Sequence, residues 1–166
     1  IKTGKYLKKE HQLTNKNCII YSSPSIRAFE TAELIAKELG IKNHNIIKDE
    51  RINELDHGLL SGSKESDSIN KQYMIEFNKL PKDPIKLELS FENFDKFTEK
   101  KFKTEPMLCI KKRIKSFYNT LPNIPHIIII THGGIIQATI MTLFNINPQI
   151  IGDLPNGKNC IINCIA

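Results

Sequence analysis

Short apolar runs alternate along the chain with longer segments in which apolar residues recur every three or four positions. The runs at 18–21, 45–47 and 127–130 have the length of strands, and four consecutive isoleucines at 127–130 are typical of a parallel strand buried on both faces. A run at 158–165 predicts a last strand. Strands separated by helices indicate a three-layer α/β fold, with a mostly parallel central sheet flanked by helices.

Helical spacing predicts the elements between these strands. The segment 4–16 predicts a short amphipathic helix. The segment from Pro24 to Gly40 predicts a longer one, because a hydroxyl residue before proline favours a helix start and glycine favours its end. Further along the chain, one helix is predicted from Pro106, and another follows the isoleucine run and extends through Phe144.

The middle of the chain has the weakest pattern. Between residues 63 and 104, two short helices are predicted around Ser66–Leu80 and Phe91–Phe102, with Pro81 and Pro84 between them. We interpret 63–104 as a helical cap or insert within one domain that spans 1–166.

Composition narrows the classes of protein. A chain of 166 residues can bury one core, and no apolar run approaches the roughly 20 residues of a membrane span. The cysteines form neither a CxxC pair nor a zinc-site spacing, which predicts free thiols in a reducing, cytoplasmic setting: Cys18, Cys109, Cys160 and Cys164. The chain does not begin with methionine, so we expect an upstream segment, where a targeting sequence could lie.

The net charge of +6 would attract phosphorylated substrates, nucleic acid or an anionic membrane. The alternative is a general enrichment in Lys, Asn and Ile, which we favour because the lysines are spread around the predicted helices. The chain lacks the interleaved aromatic residues of a base-stacking platform, so nucleic acid is not an expected partner.

Two strand ends carry residues suited to an anion. Residues 22–28 (SSPSIRA) follow the first predicted strand, and residues 131–134 (THGG) follow the isoleucine run. In open α/β sheets, ligands bind beyond the carboxyl ends of strands. Each segment also begins a helix, whose first N–H groups and dipole favour phosphate.

Three side chains could act at these strand ends, each with a plain structural alternative. Arg27 lies in the first turn of its helix, where a positive charge is unfavourable unless an anion is near, but it could equally be a surface arginine. His132 could stabilise charge on phosphoryl oxygens, although a histidine at a strand end is more often structural. Glu54 could serve as general acid and then base, and on chemistry alone Asp56 or His57 would fit as well.

Together these segments resemble the histidine phosphatase superfamily, with its phosphoglycerate mutase-like members. Residues 22–32 are similar to the family's SSPLxRAxxTA motif, 51–58 to its LxExxxG loop and 129–136 to its vVsHGGvir turn. Glu105 with Arg113 is a weaker match to its ESxxDxxxRV helix. The matches follow the family's order and span nearly the whole chain.

The resemblance implies a phosphoglycerate mutase-like fold and a phosphomonoester hydrolase that works through a phosphohistidine. Its partner would be a phosphorylated small molecule or phosphoprotein, with no metal and no cofactor. Arg27 would bind phosphoryl oxygens, His132 would hydrogen-bond them, Gly133 would offer a backbone N–H and Glu54 would protonate the leaving group. The alternatives are a phosphoglycerate mutase-type phosphotransferase and a non-catalytic phosphate-binding or interaction member. No oligomeric state is predicted.

One family motif has no counterpart in the sequence. RHGxTxxN, which carries the nucleophilic histidine, is expected upstream of Gly4, and no histidine here matches it. Because its strand is central in the family sheet, we expect that without it strands 18–21 and 127–130 would each lose a partner, which leaves several backbone groups unpaired at about 1–3 kcal/mol each. We therefore expect the full protein to carry it. Residues 59–61 also replace a Trp and Glu common in the family, which alters the predicted pocket wall.

Overall fold

The computed structural model describes residues 1–81 and 84–144, with the backbone alone for 84–89 and 91. The described helices are, in chain order, α1 (Lys2–Glu10), α2 (Ile26–Leu39), α3 (Ser68–Phe77), α4 (Pro84–Phe102), α5 (Met107–Tyr118) and α6 (Gly133–Phe144). The described strands are β1 (Cys18–Ser22), β2 (Ile46–Lys48) and β3 (His126–Ile130). The chain divides into two compact units, the first with Ile1–Glu54 and Ser116–Ile136, the second with Leu55–Lys115 and residues 137–144.

A parallel sheet is the centre of the first unit. Its order within the described residues is β2-β1-β3, and both neighbours run parallel to β1. The predicted α/β fold with a parallel sheet is therefore confirmed. The strand predicted at 158–165 lies outside the described residues.

The structure corrects the prediction about the missing strand. Strand β1 has a neighbour on each side and pairs directly with β3, so the expectation that β1 would lose a partner is wrong. Residues 127–130 of β3 are half-buried, not buried on both faces. Within 1–81 and 84–144 no strand lies on the far side of β3, which leaves these side chains partly open to solvent.

The core of the first unit lies where α1 and α2 pack on β1 and β2. Ile20 of β1 and the alanines Ala32 and Ala36 of α2 are fully buried, and the small alanine side chains let the helix lie close to the sheet. Each buried leucine or isoleucine in this core contributes about 1.5–3 kcal/mol. Helix α2 ends as predicted at Gly40, whose φ of 74° is the left-handed conformation that glycine favours.

Helix α1 is shorter than predicted at its carboxyl end and stops at Glu10. Gln12 adopts a left-handed conformation with φ 53°, and the Leu13 N–H returns to the Leu7 carbonyl at 3.3 Å. Such a stop normally carries glycine, so a glutamine at this position gives no sequence signal.

The second unit contains α3, α4 and most of α5. Tyr73 packs edge-on against Phe94 and Phe102, with ring centroids 5.6 and 5.7 Å away. Helix α4 starts at Pro84, seven residues before the predicted start, because proline is well accepted at the first helical position, where no N–H is needed. The interpretation of 63–104 as a cap stays a prediction.

None of the helices in the described part of the chain combines the length and the apolar character that a bilayer crossing requires.

Candidate functional site

The carboxyl ends of β1 and β3 bring two polar segments together. Ser22 lies beside Ile130 in the parallel register, so the residues that follow each strand leave the sheet side by side. The Ser23 N–H extends the ladder by donating to the Ile130 carbonyl at 2.8 Å. As a result, Ser23 Oγ lies 2.8 Å from His132 Nε2, although 109 positions separate them in sequence.

Two other predicted site residues, Arg27 and Glu54, meet at the opposite edge of the His132 ring. Arg27 Nη2 lies 3.0 Å from His132 Nδ1, and Glu54 Oε2 lies 3.5 Å from the same nitrogen. Arg27 Nη2 and Glu54 Oε2 are 3.6 Å apart, a loose ion pair that an incoming anion could displace. The His132 side chain is only 4% exposed, whereas that of Arg27 is 69% exposed, so the guanidinium is open to a ligand from solvent.

The start of α2, where Arg27 lies, has no negative charge of its own. Residues 26–29 form the first turn and include no carboxylate, so nothing in that turn neutralises the positive end of the helix dipole. Ser25 occupies the N-cap position, but its side chain makes no capping hydrogen bond. Its Oγ lies 3.2 Å from His132 Nε2 instead. The Ser25 hydroxyl therefore contributes to the site and not to the cap, and the helix begins at Ile26, two residues after the predicted start at Pro24.

Gly133 begins α6 directly after His132. The His132 carbonyl accepts from the Ile136 N–H at 3.0 Å, as expected of a residue that caps a helix. The first N–H groups of a helix have no partner within it. A Cβ built on Gly133 would meet nothing within 4 Å, so its backbone faces open space. Its predicted N–H contact to a phosphoryl oxygen stays a prediction.

The loop that carries Glu54 is held from two directions. Thr131 Oγ1 donates to the Ile52 carbonyl at 2.6 Å, which ties the β3–α6 turn to this loop. Arg51 bonds to the Asp49 carboxylate at 2.6 Å and to the Ser116 carbonyl at 2.9 Å. The side-chain hydrogen bond from Arg51 holds the pKa of Asp49 below its ordinary value. The loop is thus built as a rigid support for its carboxylate.

Two further residues belong to this site that the sequence did not single out. Ser23 was part of the anion-binding segment without a role of its own, and Asn53 had none. Asn53 Oδ1 lies 3.0 Å from Ser23 Oγ and accepts the Glu54 N–H at 3.0 Å. A hydroxyl residue directly after a buried strand was a usable signal for Ser23, whereas nothing in the local sequence distinguished Asn53.

Asp56, an alternative to Glu54 on chemistry, has other contacts in the second unit. Its carboxylate accepts the Gly58 N–H at 2.8 Å, and its carbonyl accepts the Glu105 N–H at 2.8 Å. Glu105 in turn forms a two-pronged pair with Arg113 at 2.7 and 2.9 Å. These contacts fix the turn after the Glu54 loop. His57 is exposed.

Solved structures with a similar fold include proteins named as a phosphoglycerate mutase and as a phosphatase. Bacillus stearothermophilus YhfR superposes with a TM-score of 0.62 at 21% identity, over 93% of this chain and 67% of that one. A phosphoglycerate mutase from Bacillus anthracis superposes with a TM-score of 0.60 at 22% identity, over 86% of this chain and 64% of that one. A mycobacterial glucosyl-3-phosphoglycerate phosphatase superposes with a TM-score of 0.57 at 17% identity, over 91% of this chain and 68% of that one. At such identities the likeness shows the fold.

In sequence, phosphoserine phosphatase 1 of Hydrogenobacter thermophilus is 40% identical over 70 residues, which is 42% of this chain and 31% of that protein. The chain thus spans about a third of this curated relative and about two thirds of the solved structures. The family description "Histidine phosphatase superfamily (branch 1)" matches residues 3–166. Because that match covers nearly every residue and the fold agrees with it, the chain belongs to the histidine phosphatase superfamily.

Proposed function

We propose that the protein is a phosphomonoester hydrolase whose substrate phosphoryl group binds at the carboxyl ends of β1 and β3. The observation that carries the proposal is the meeting of Arg27, Glu54 and His132 within 3.6 Å of one another at the start of two helices. A guanidinium, an imidazole and a carboxylate supply, respectively, charge, a hydrogen bond and a proton to a phosphoryl transfer.

The proposed reaction has two steps, and its nucleophile is a histidine outside this sequence. That histidine's ring nitrogen attacks phosphorus, the bond to the ester oxygen breaks, and Glu54 gives its proton to the departing alcohol. Water then attacks the phosphohistidine, Glu54 takes back a proton from it, and the bond between phosphorus and nitrogen breaks to release inorganic phosphate. Arg27, His132 and the Gly133 N–H would stabilise the phosphoryl oxygens in both steps.

The first experiment is inorganic phosphate release by the full-length protein from phosphoserine, 3-phosphoglycerate, a phosphoserine peptide and p-nitrophenyl phosphate. The phosphoserine phosphatase relative makes phosphoserine the first substrate to try. We expect Arg27→Ala and His132→Ala each to lower kcat/KM by about 100-fold. Lys37→Ala, which removes an exposed positive charge from the last turn of the same helix, should leave it unchanged.

Three outcomes would contradict the proposal. Unchanged turnover in both site variants would place the reaction elsewhere. Interconversion of phosphoglycerates without phosphate release would identify a mutase-type phosphotransferase. Calorimetric binding of phosphate that depends on Arg27, with no turnover of any ester, would identify a non-catalytic member of the family.

A further inference from the structure

We propose that Ser23 and Asn53 are positioning residues that fix the proton on the buried His132 ring. In the ligand-free site they hold neutral His132 in the tautomer with hydrogen on Nε2, and leave Nδ1 as a hydrogen-bond acceptor. The importance of that tautomer for turnover rests on the role proposed above for His132, but the tautomer itself follows from the hydrogen bonds.

The network has a fixed direction because it begins at a group that can only donate. The Glu54 backbone N–H donates to Asn53 Oδ1 at 3.0 Å, which establishes that the amide oxygen of Asn53 faces this way. An amide oxygen cannot donate, so the hydrogen between Asn53 Oδ1 and Ser23 Oγ, 3.0 Å apart, comes from the serine. Two further atoms within reach could accept from Ser23 Oγ: Ser25 Oγ at 3.3 Å, and His132 Nε2 at 2.8 Å in the tautomer without a hydrogen on Nε2.

A serine hydroxyl has one hydrogen, and only if Asn53 accepts it do both the 3.0 Å contact to Asn53 Oδ1 and the 2.8 Å contact to His132 Nε2 contain a hydrogen. Ser23 Oγ therefore accepts at its remaining positions, from the Ser25 N–H at 3.3 Å and from His132 Nε2 at 2.8 Å. The hydrogen of this short bond must sit on Nε2. Ser23 is fully buried, so bulk water does not compete for these positions.

The opposite ring nitrogen leads to the same tautomer independently. Arg27 Nη2 lies 3.0 Å from Nδ1, and a guanidinium has hydrogens to donate but no lone pair to accept with. Nδ1 must therefore carry its lone pair. Obligatory donors stand at both ends of the chain of bonds, the Glu54 N–H and the Arg27 guanidinium, and both require the same arrangement.

This arrangement has a consequence for ligand binding. Among the contacts described above, Arg27 from α2 and Glu54 from its loop bring charge to Nδ1, while the hydroxyls of Ser23 and Ser25 face Nε2. For Nδ1 to donate to a phosphoryl oxygen, the ring must take up one proton from solvent and become an imidazolium, since Nε2 keeps its own. Phosphate binding is thus expected to be coupled to protonation of His132.

The test is ¹H–¹⁵N NMR of the full-length protein with labelled histidine, with His132→Gln used to assign the ring signals. The ligand-free protein should show the Nε2–H tautomer at His132, and inorganic phosphate should move its Nδ1 signal to that of an imidazolium. Ser23→Ala should give a mixture of tautomers and lower kcat by about 10-fold or more, the size of effect seen for residues that orient a functional histidine.

Ser22→Ala is the matched control. Ser22 is as fully buried as Ser23, and its Oγ bonds to the Ser23 carbonyl at 2.9 Å without touching His132. It should reproduce the loss of packing and leave the ring signals as they are. Should Ser23→Ala not fold, Asn53→Leu tests the same point, because it frees the Ser23 hydrogen to donate to Nε2.

The proposal is overturned if ligand-free His132 is the Nδ1–H tautomer, or if Ser22→Ala and Ser23→Ala change its signals alike. Neither readout requires turnover. A protein with the expected tautomer but no phosphatase activity would therefore contradict the proposed function and leave this inference standing.

Discussion

At the scale of single residues, Gly58 is a position where the backbone conformation and its neighbours leave no room for a side chain. Its φ is 51°, and a Cβ there would collide with the backbone of Phe102 and Lys103. Gly62, four residues later, has a similar φ of 77° but open space around it. A side chain at Gly62 would meet only the cost of the left-handed conformation, whereas one at Gly58 would meet that cost and the collision as well.

We expect Gly62→Ala to lower the free energy of unfolding by about 1–2 kcal/mol, the cost of the left-handed conformation alone. Gly58→Ala should lower it by clearly more, since the neighbouring backbone must also move. Urea unfolding of both variants measures the difference. Equal losses would mean that the close approach to residues 102 and 103 is absent in solution.

The site residues also show what a sequence can and cannot reveal at this scale. Arg27 and His132 could be singled out because each lies where a predicted strand is followed by a predicted helix in the local sequence. The roles of Ser23 and Asn53 depend on partners 109 and 30 positions away, and only the register of the sheet brings them together. No local pattern contains that information.

At the scale of elements, Asp95 joins two helices of the second unit. Its side chain reaches from α4 to the start of α5, where it accepts the Leu108 N–H at 3.1 Å. Burial raises the pKa of Asp95, and the backbone hydrogen bonds from Met107 and Leu108 oppose this only in part. Because the folded pKa lies above the unfolded one, ionisation weakens the fold, and stability declines as the pH rises through the folded pKa.

We therefore expect Asp95→Asn to remove this decline, and to be at least as stable as the wild type at neutral pH, since its amide oxygen still accepts the helix N–H. Asp95→Ala, which leaves that N–H without its cap, should be about 1 kcal/mol less stable than Asp95→Asn at every pH. Urea unfolding between about pH 4 and 8 checks both expectations. Equal losses for Asn and Ala would show that the carboxylate charge itself stabilises the helix start.

The elements differed in how well the sequence predicted them. Strands β1 and β3 and helix α2 were found because dense apolar patterns and a terminal glycine mark them locally. The start of α4 was missed because Pro84 was taken as a break although it opens the helix. The half-buried state of residues 127–130 was missed because four isoleucines look the same whether or not a further strand lies beside them.

At the scale of the whole molecule, the net charge of +6 is the property most relevant to an anionic substrate. A positive field raises the rate of encounter with anions, and salt screens it. We expect kcat/KM for a phosphomonoester to fall by less than about 10-fold between roughly 50 and 200 mM salt, with kcat unchanged, because the charge is dispersed.

Steady-state kinetics with added salt, and with a duplex oligonucleotide as competitor, checks this expectation. The oligonucleotide should not inhibit. Inhibition that disappears steeply with salt would instead identify a surface that binds nucleic acid, since the release of counterions gives such binding a strong salt dependence.

The direct pairing of β1 with β3 also has a consequence during synthesis. Ser23 leaves the ribosome 109 residues before His132, an interval of roughly 5–20 s at about 5–20 residues per second. Until then β1 has an open edge on the side that β3 will cover, and such an edge can pair with other chains. The nascent chain therefore passes through a period in which the edge of β1 needs protection from aggregation, and the pairing of β3 with β1 ends that period for this edge.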